Sequence, residues 1–94
     1  MRLNVQRLAA WLGCAPDYLS HCFHVATGIT LTRFINSRRI LQAQALLENP
    51  AMNIREIARA CGYRDPGYFT RLFRRITGRS PREQRRRMAG ARPE

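Results

Sequence analysis

Apolar positions along the chain fall into two amphipathic pairs separated by one longer segment. Val5, Leu8, Ala9 and Leu12 recur at i, i+3, i+4 and i+7, the period of a helix with one apolar face. Asn4 is placed to cap that helix and Gly13 to end it. Cys14 and Ala15 make a turn, and Pro16 opens a second helix through Thr27, with Leu19, Cys22, Phe23 and Ala26 inward and Gly28 as terminator. The later pair reads the same way. Ile54, Ile57, Ala58 and Cys61 line a short helix behind Asn53, where Glu56 stands three residues on to close a capping box, and Gly62 ends it. Asp65 and Pro66 start the last helix of the pair. Its apolar stripe is Phe69, Leu72, Phe73 and Ile76, its opposite face carries Arg71, Arg74 and Arg75, and Gly78 closes it.

The two pairs are a repeat. Ala9 and Gly13 match Ala58 and Gly62 at an offset of 49; Tyr18, Phe23 and Thr27-Gly28 match Tyr68, Phe73 and Thr77-Gly78 at an offset of 50. The one-residue slip falls in the turn, where insertions are tolerated. Between the pairs, Thr30 is placed to cap a helix over 30–47, stopped by Asn49-Pro50. Leu31, Phe34 and Ile35 are spaced to pack on the first pair, and Ile40, Ala43, Leu46 and Leu47 on the second. The waist at Ser37-Arg38-Arg39 is polar. After Gly78, Ser80, Pro81 and Glu83 repeat a helix-start signal for a short helix over 80–88, and the chain from Gly90 on reads as an irregular tail.

A short helix, a turn and a second, basic helix make a helix-turn-helix pattern, and here it occurs twice, at 5–27 and 53–77. The fold class expected is therefore all-α: two helix-turn-helix lobes, homeodomain-like bundles, joined by a long central helix. In the second pair the wording is more specific. G-Y-x-D-x-x-Y-F-x-R-x-F-R-R-x-T-G-x-S-P, from Gly62 to Pro81, resembles the signature of the AraC/XylS family of bacterial transcription regulators, and the resemblance runs from about Val5 to about Arg86. It implies that residues 1–94 form a DNA-binding domain that regulates transcription, more often by activation, through contact with RNA polymerase. It also implies a further helix before Val5 and a separate effector or dimerisation domain upstream. Only Met1 to Leu3 precede the helix with its Asn4 cap, so the chain reads either as a fragment or as a truncated stand-alone protein, with apolar surface exposed around Leu8, Trp11 and Leu12.

Charge points to the same class of partner. All seventeen basic residues are arginine, and against six acids the net charge is +11. A polyanion is the expected partner, with double-stranded DNA ahead of a membrane surface, because the apolar stripes are needed for the core. Arginine also suits bidentate contacts to phosphate and guanine. No apolar run is long enough to cross a bilayer, and the first residues lack the apolar region of a signal peptide, so the default compartment is the cytoplasm, at the bacterial nucleoid. Cys14, Cys22 and Cys61 have no C-x-x-C spacing and read as small buried hydrophobes in a reducing compartment. His21, Cys22 and His24 invite a metal reading, set aside because neighbours on a helix diverge by about 100° and no fourth ligand is near. No cofactor is called for, and no triad order, carboxylate pair or glycine-rich phosphate loop suggests an enzyme.

The N-terminal part of the second helix of each pair is the part that meets base edges. In the second pair the candidates are Arg64, Pro66, Gly67, Thr70 and Arg71, with Arg71 placed for a bidentate guanine contact, the position that the resemblance also implies for DNA. Pro66 and Gly67 are poor hydrogen-bonders, which limits base reading there. In the first pair the candidates are Asp17, Ser20 and His21. The family often has arginine at the place of His21; Asp17 could accept from cytosine N4 or simply cap the helix. His24, Arg38, Arg39, Arg74 and Arg75 are candidates for phosphate. Tyr18 and Tyr68 are expected half-buried, Phe23, Phe69 and Phe73 in the core, and Trp11 in the core or at a lost interface. A bridge of about eighteen residues spans roughly 27 Å, so recognition-helix centres about 34 Å apart, one turn of B-DNA, are expected. The rival from another class is a basic protein-interaction module in which DNA binding is vestigial.

Overall fold

The computed structural model describes residues 4–91, with side chains as far as residue 89. Among these residues there are six helices: α1 (Val5–Leu12), α2 (Pro16–Thr27), α3 (Leu31–Leu46), α4 (Ile54–Ala60), α5 (Pro66–Thr77) and α6 (Pro81–Ala91). The chain divides into two compact units, residues 1–39 and 40–94, and the division falls within α3.

Helix ends are fixed by short polar side chains. Asn4 Oδ1 accepts from the Arg7 amide at 2.7 Å, and Thr30 Oγ1 accepts from Arg33 at 3.1 Å. At α4 the capping box is complete: Asn53 Oδ1 accepts from Glu56 N at 2.8 Å and Glu56 Oε1 from Asn53 N at 2.9 Å. Asp65 Oδ1 accepts from Gly67 N at 2.9 Å, and Ser80 Oγ from Glu83 N at 3.1 Å. Asp17 does not cap α2. That place is held by Ala15, which offers no side-chain bond, and Asp17 sits in the first turn, where its charge favours the helix N-terminus. The repeat is visible in the hydrogen bonds as well. Thr27 Oγ1 donates to Phe23 O and Thr77 Oγ1 to Phe73 O, both at 2.8 Å. Each threonine precedes a glycine with positive φ, Gly28 at 80° and Gly78 at 86°, a conformation that costs other residues free energy.

In the second unit Ile40, Ala43, Leu47, Ile57, Ala58, Cys61, Tyr63, Phe69 and Phe73 form one buried cluster. Leu46, Met52, Ile54, Leu72 and Met88 pack around it. Its rings are close, with centroids 5.6 Å apart for Tyr63–Phe69 and 5.8 Å for Phe69–Phe73. Each fully buried phenylalanine contributes about 1.5–3 kcal/mol. α6 closes this unit from below: Pro81 is fully buried, and Arg85 donates from Nε to Leu47 O at 3.3 Å and from Nη2 to Asn49 O at 3.1 Å. Both carbonyls lie just past the end of α3, and that of Asn49 also accepts from the Met52 amide at 3.2 Å.

The first unit is packed less completely. Ala9, Leu31 and Ile35 are buried, and Phe23 meets Phe34 with centroids 5.3 Å apart. No residue of α2 is fully buried, so the expected inward face is only half realised: Leu19 and Phe23 are half-buried, while Cys22 and Ala26 are exposed. Among the described residues of the first unit, α2 has only α1 and the start of α3 to pack against. Trp11 is 82% exposed, and Leu12 is exposed beside it, whereas Leu8 is half-buried. Trp11 is thus not core. Of the cysteines only Cys61 is buried; Cys14 is half-buried and Cys22 exposed. Tyr18 and Tyr68 are exposed rather than half-buried, and Ile76, at the end of the α5 stripe, is also exposed. α6 runs through Gly90 to Ala91, past the expected end: a single glycine costs a helix only about 1 kcal/mol, which does not stop one capped by Ser80. The rest of the expected tail lies outside the described residues.

Candidate nucleic-acid interface

α5 is the most strongly amphipathic of the helices that carry candidate residues. Phe69 and Phe73 are fully buried, which fixes the rotation of the helix and turns Arg71, Arg74 and Arg75 outward. Its first turn opens a shallow groove of about 590 Å³ lined by Pro66, Gly67, Thr70 and Arg71 on one side. The far side is made by Ile54 and Arg55 of α4 and by Ser80, Pro81 and Arg82 of α6. Three helix starts converge there, and the second helical residues of each are Arg55, Gly67 and Arg82. Gly67 keeps the groove open: a Cβ at that position would lie 3.2 Å from Asp65 Oδ1 and 3.6 Å from Arg71 Nη1. The Arg71 guanidinium therefore lies back over the start of its own helix, above a residue with no side chain.

Of the candidates read from the sequence, the structure brings Pro66, Gly67, Thr70 and Arg71 together. Arg64 is exposed ahead of α5, and Arg74 and Arg75 are exposed in its last turn, outside this groove's lining. In the first unit Asp17, His21 and His24 are exposed on α2 and Ser20 is half-buried. Close to them the Tyr18 hydroxyl bonds the Cys22 sulfur, and that bond, together with the charge of a Cys22 thiolate, holds the phenol above its ordinary pKa. Arg38 is exposed on α3, and Arg39 is half-buried and engaged within the protein.

Sequence reasoning missed three arginines. Arg55 and Arg82 line the same groove as Arg71. The signal was present but unused: each stands one residue inside a capped helix start, on the side that α5 also presents. Arg85 stands out in no sequence pattern, because periodicity does not reveal a guanidinium that reaches carbonyls 36 and 38 residues away.

Two capped helix–turn–helix pairs, the second with a basic, outward-facing second helix, define a DNA-binding domain of the helix-turn-helix class. A family model described as a helix-turn-helix domain matches residues 8–87. The chain belongs to the AraC/XylS family of DNA-binding transcription regulators, a family of regulators rather than enzymes. It is 43% identical over 72 residues to YijO, an uncharacterised HTH-type transcriptional regulator of Escherichia coli strain K12, covering 77% of this chain and 25% of YijO. It is 41% identical over 79 residues to the HTH-type transcriptional activator RhaR of Cronobacter sakazakii, covering 84% of this chain and 28% of RhaR. The chain thus spans about a quarter of the length of these curated relatives. Among solved structures it resembles the DNA-binding domain of AdpA, a global transcriptional factor, in complex with a target DNA, with a TM-score of 0.83, 32% identity, and coverage of 99% of this chain and 84% of that one. Among the described residues no helix is long and apolar enough to cross a membrane.

Proposed function

We propose that this domain binds a bipartite, non-palindromic site in duplex DNA and activates transcription by contact with RNA polymerase, in the bacterial cytoplasm. Each helix-turn-helix pair, 5–27 and 53–77, reads one major-groove segment. In the second, Arg71 makes the guanine contact, Thr70 and Arg64 add polar contacts, and Pro66 and Gly67 let the backbone approach closely. In the first, Asp17, Ser20 and His21 face the bases. His24, Arg38, Arg39, Arg74 and Arg75 hold phosphates, which position the domain without specifying sequence. The observation that carries the reading is the convergence of Pro66, Gly67, Thr70 and Arg71 on one open, basic groove at the start of α5. Activation is supported by the likeness to RhaR, named as a transcriptional activator.

The test is selection of binding sites from random duplex DNA. A recovered consensus with two separated, unlike half-sites supports the proposal. Binding that is uniform across sequences sinks it and favours a module whose basic face docks an acidic protein. Whether the bound domain activates is read by transcription in vitro from a promoter carrying the recovered site.

A further inference from the structure

Two basic grooves in the second unit share a wall. The groove at the start of α5 contains Arg71, Arg55 and Arg82; its neighbour, between α4 and α6, contains Arg55, Arg82, Arg85 and Arg86. No carboxylate lines either one. Of the acids nearest in sequence, Glu56 accepts from the Asn53 amide and Asp65 from the Gly67 amide, each at 2.9 Å, while Glu83 sits with Arg79, Arg86 and Arg87 around a separate hollow on α6. Arg85 is occupied too, because its Nε and Nη2 cap the carbonyls of Leu47 and Asn49. What remains is a row of four exposed arginines, Arg71, then Arg55 and Arg82, then Arg86, which starts among the candidate base-reading residues and leads away along α6.

We infer that Arg55, Arg82 and Arg86 form a phosphate track that holds one DNA strand where it leaves the major-groove segment read by α5. The row has the composition such a strand requires: consecutive guanidinium groups, no carboxylate in the lining of either groove, and an open floor. An acidic protein would be an equally suitable counterion, but the track is continuous with the groove that holds Arg71. A duplex seated on Arg71 brings a phosphate backbone to Arg55 and Arg82 before any third molecule arrives. The inference rests on the reading that α5 enters the major groove. It adds that the second unit's grip on the backbone comes from α4 and α6 as much as from α5. Such contacts set affinity and its salt dependence but carry no base preference.

The test uses the whole chain, a duplex carrying the selected site and a duplex of random sequence, with dissociation constants measured over a range of sodium chloride concentrations. Arg55→Gln, Arg82→Gln and Arg86→Gln are combined, since glutamine keeps the polar stem. Three lost phosphate contacts flatten the log–log salt slope by about 2.7, at about 0.9 per contact. Affinity for the two duplexes falls by the same factor, and the base preference recovered by selection is unchanged. Should the triple variant lose its helical circular dichroism, the three single variants, each flattening the slope by about 0.9, carry the test. An unchanged slope overturns the track, and so does a loss confined to the selected duplex. Normal DNA binding with lost stimulation of transcription also overturns it, in favour of an acidic protein partner. Arg71→Ala separates the underlying reading: if that variant keeps the full base preference while the triple variant flattens the slope, α5 is not the reading element and the track still holds phosphate.

Discussion

The two helix-turn-helix units carry the same motif and are consolidated to different degrees. At an offset of 50, Thr30 and Ser80 both cap, and Leu31 and Pro81 are both buried. Thr27 and Thr77 both bond back to a phenylalanine carbonyl at the same distance. Yet Phe73 is fully buried while its counterpart Phe23 is only half-buried. Most large exposed apolar side chains, among them Trp11, Tyr18 and Val25, belong to the first unit. The difference lies in what packs against the pair. Ile40, Ala43 and Leu47 of the second unit supply a third apolar face beneath α4 and α5, and the described residues of the first unit contain no counterpart. A repeat in sequence sets local geometry; how much of a core results depends on the apolar surface that the surroundings supply.

The largest effect that distinguishes the units is in the core. Phe73→Ala removes a fully buried ring and costs about 3–5 kcal/mol, enough to unfold a small domain. Phe23→Ala, at a half-buried site, costs less than half of that. Urea titrations followed by circular dichroism measure both, and equal costs would show that the first unit is as well consolidated as the second. Hydrogen exchange tests the same point without mutation: α1 and α2 amides lose protection before those of α4 and α5.

Arg85 gives the next largest effect. The position fifty residues earlier is the buried Ile35, so the repeat places a hydrocarbon in the first unit where the second has a charged cap. Arg85→Ala removes a charged donor from the Leu47 and Asn49 carbonyls, the second of which keeps the Met52 amide, and costs about 1–2 kcal/mol. Arg85→Lys recovers little, because one ammonium does not reproduce two guanidinium bonds. A full rescue by lysine in the same urea titration would reduce the contact to simple charge.

Much of this architecture was legible from residue types alone. Caps and glycines bounded the helices because they act within a turn of the chain, and Asn53, Asp65, Gly28 and Gly78 act as their types suggested. Exposure was less legible. Cys22, Trp11, Tyr18 and Tyr68 have types that suit burial, but burial is decided by partners far along the chain. In the candidate site, Pro66, Gly67, Thr70 and Arg71 follow from the position of the α5 start. Arg55 and Arg82 join them only because three helix starts meet in space, which no single-helix pattern reveals.

The units also differ in what they offer to bases. Arg71→Ala is expected to cost about 1–3 kcal/mol at a single base pair and to relax preference there. His21→Ala changes preference by less, since an imidazole makes at most one contact at a time to a base edge. Binding measured across a library of single-base variants gives both profiles, and a larger change for His21→Ala would reverse the ranking of the two units.

The smallest effect is the most decisive for whether the first unit takes part at all. If both units bind, the selected site has two halves, and inserting about five base pairs between them turns the halves to opposite faces of the duplex. Only one unit can then engage its half. Because the first unit is the less consolidated and offers Asp17, a carboxylate that repels phosphate, its half-site contributes the smaller share of affinity. The insertion should weaken binding by less than about tenfold, or about 1.4 kcal/mol. Inserting a full turn of about ten base pairs restores the face but not the distance, so it should recover little. Titration of the three duplexes at one salt concentration reads the outcome. Identical affinities would mean that the second unit binds alone, and that the first preserves the shape of a reader without reading.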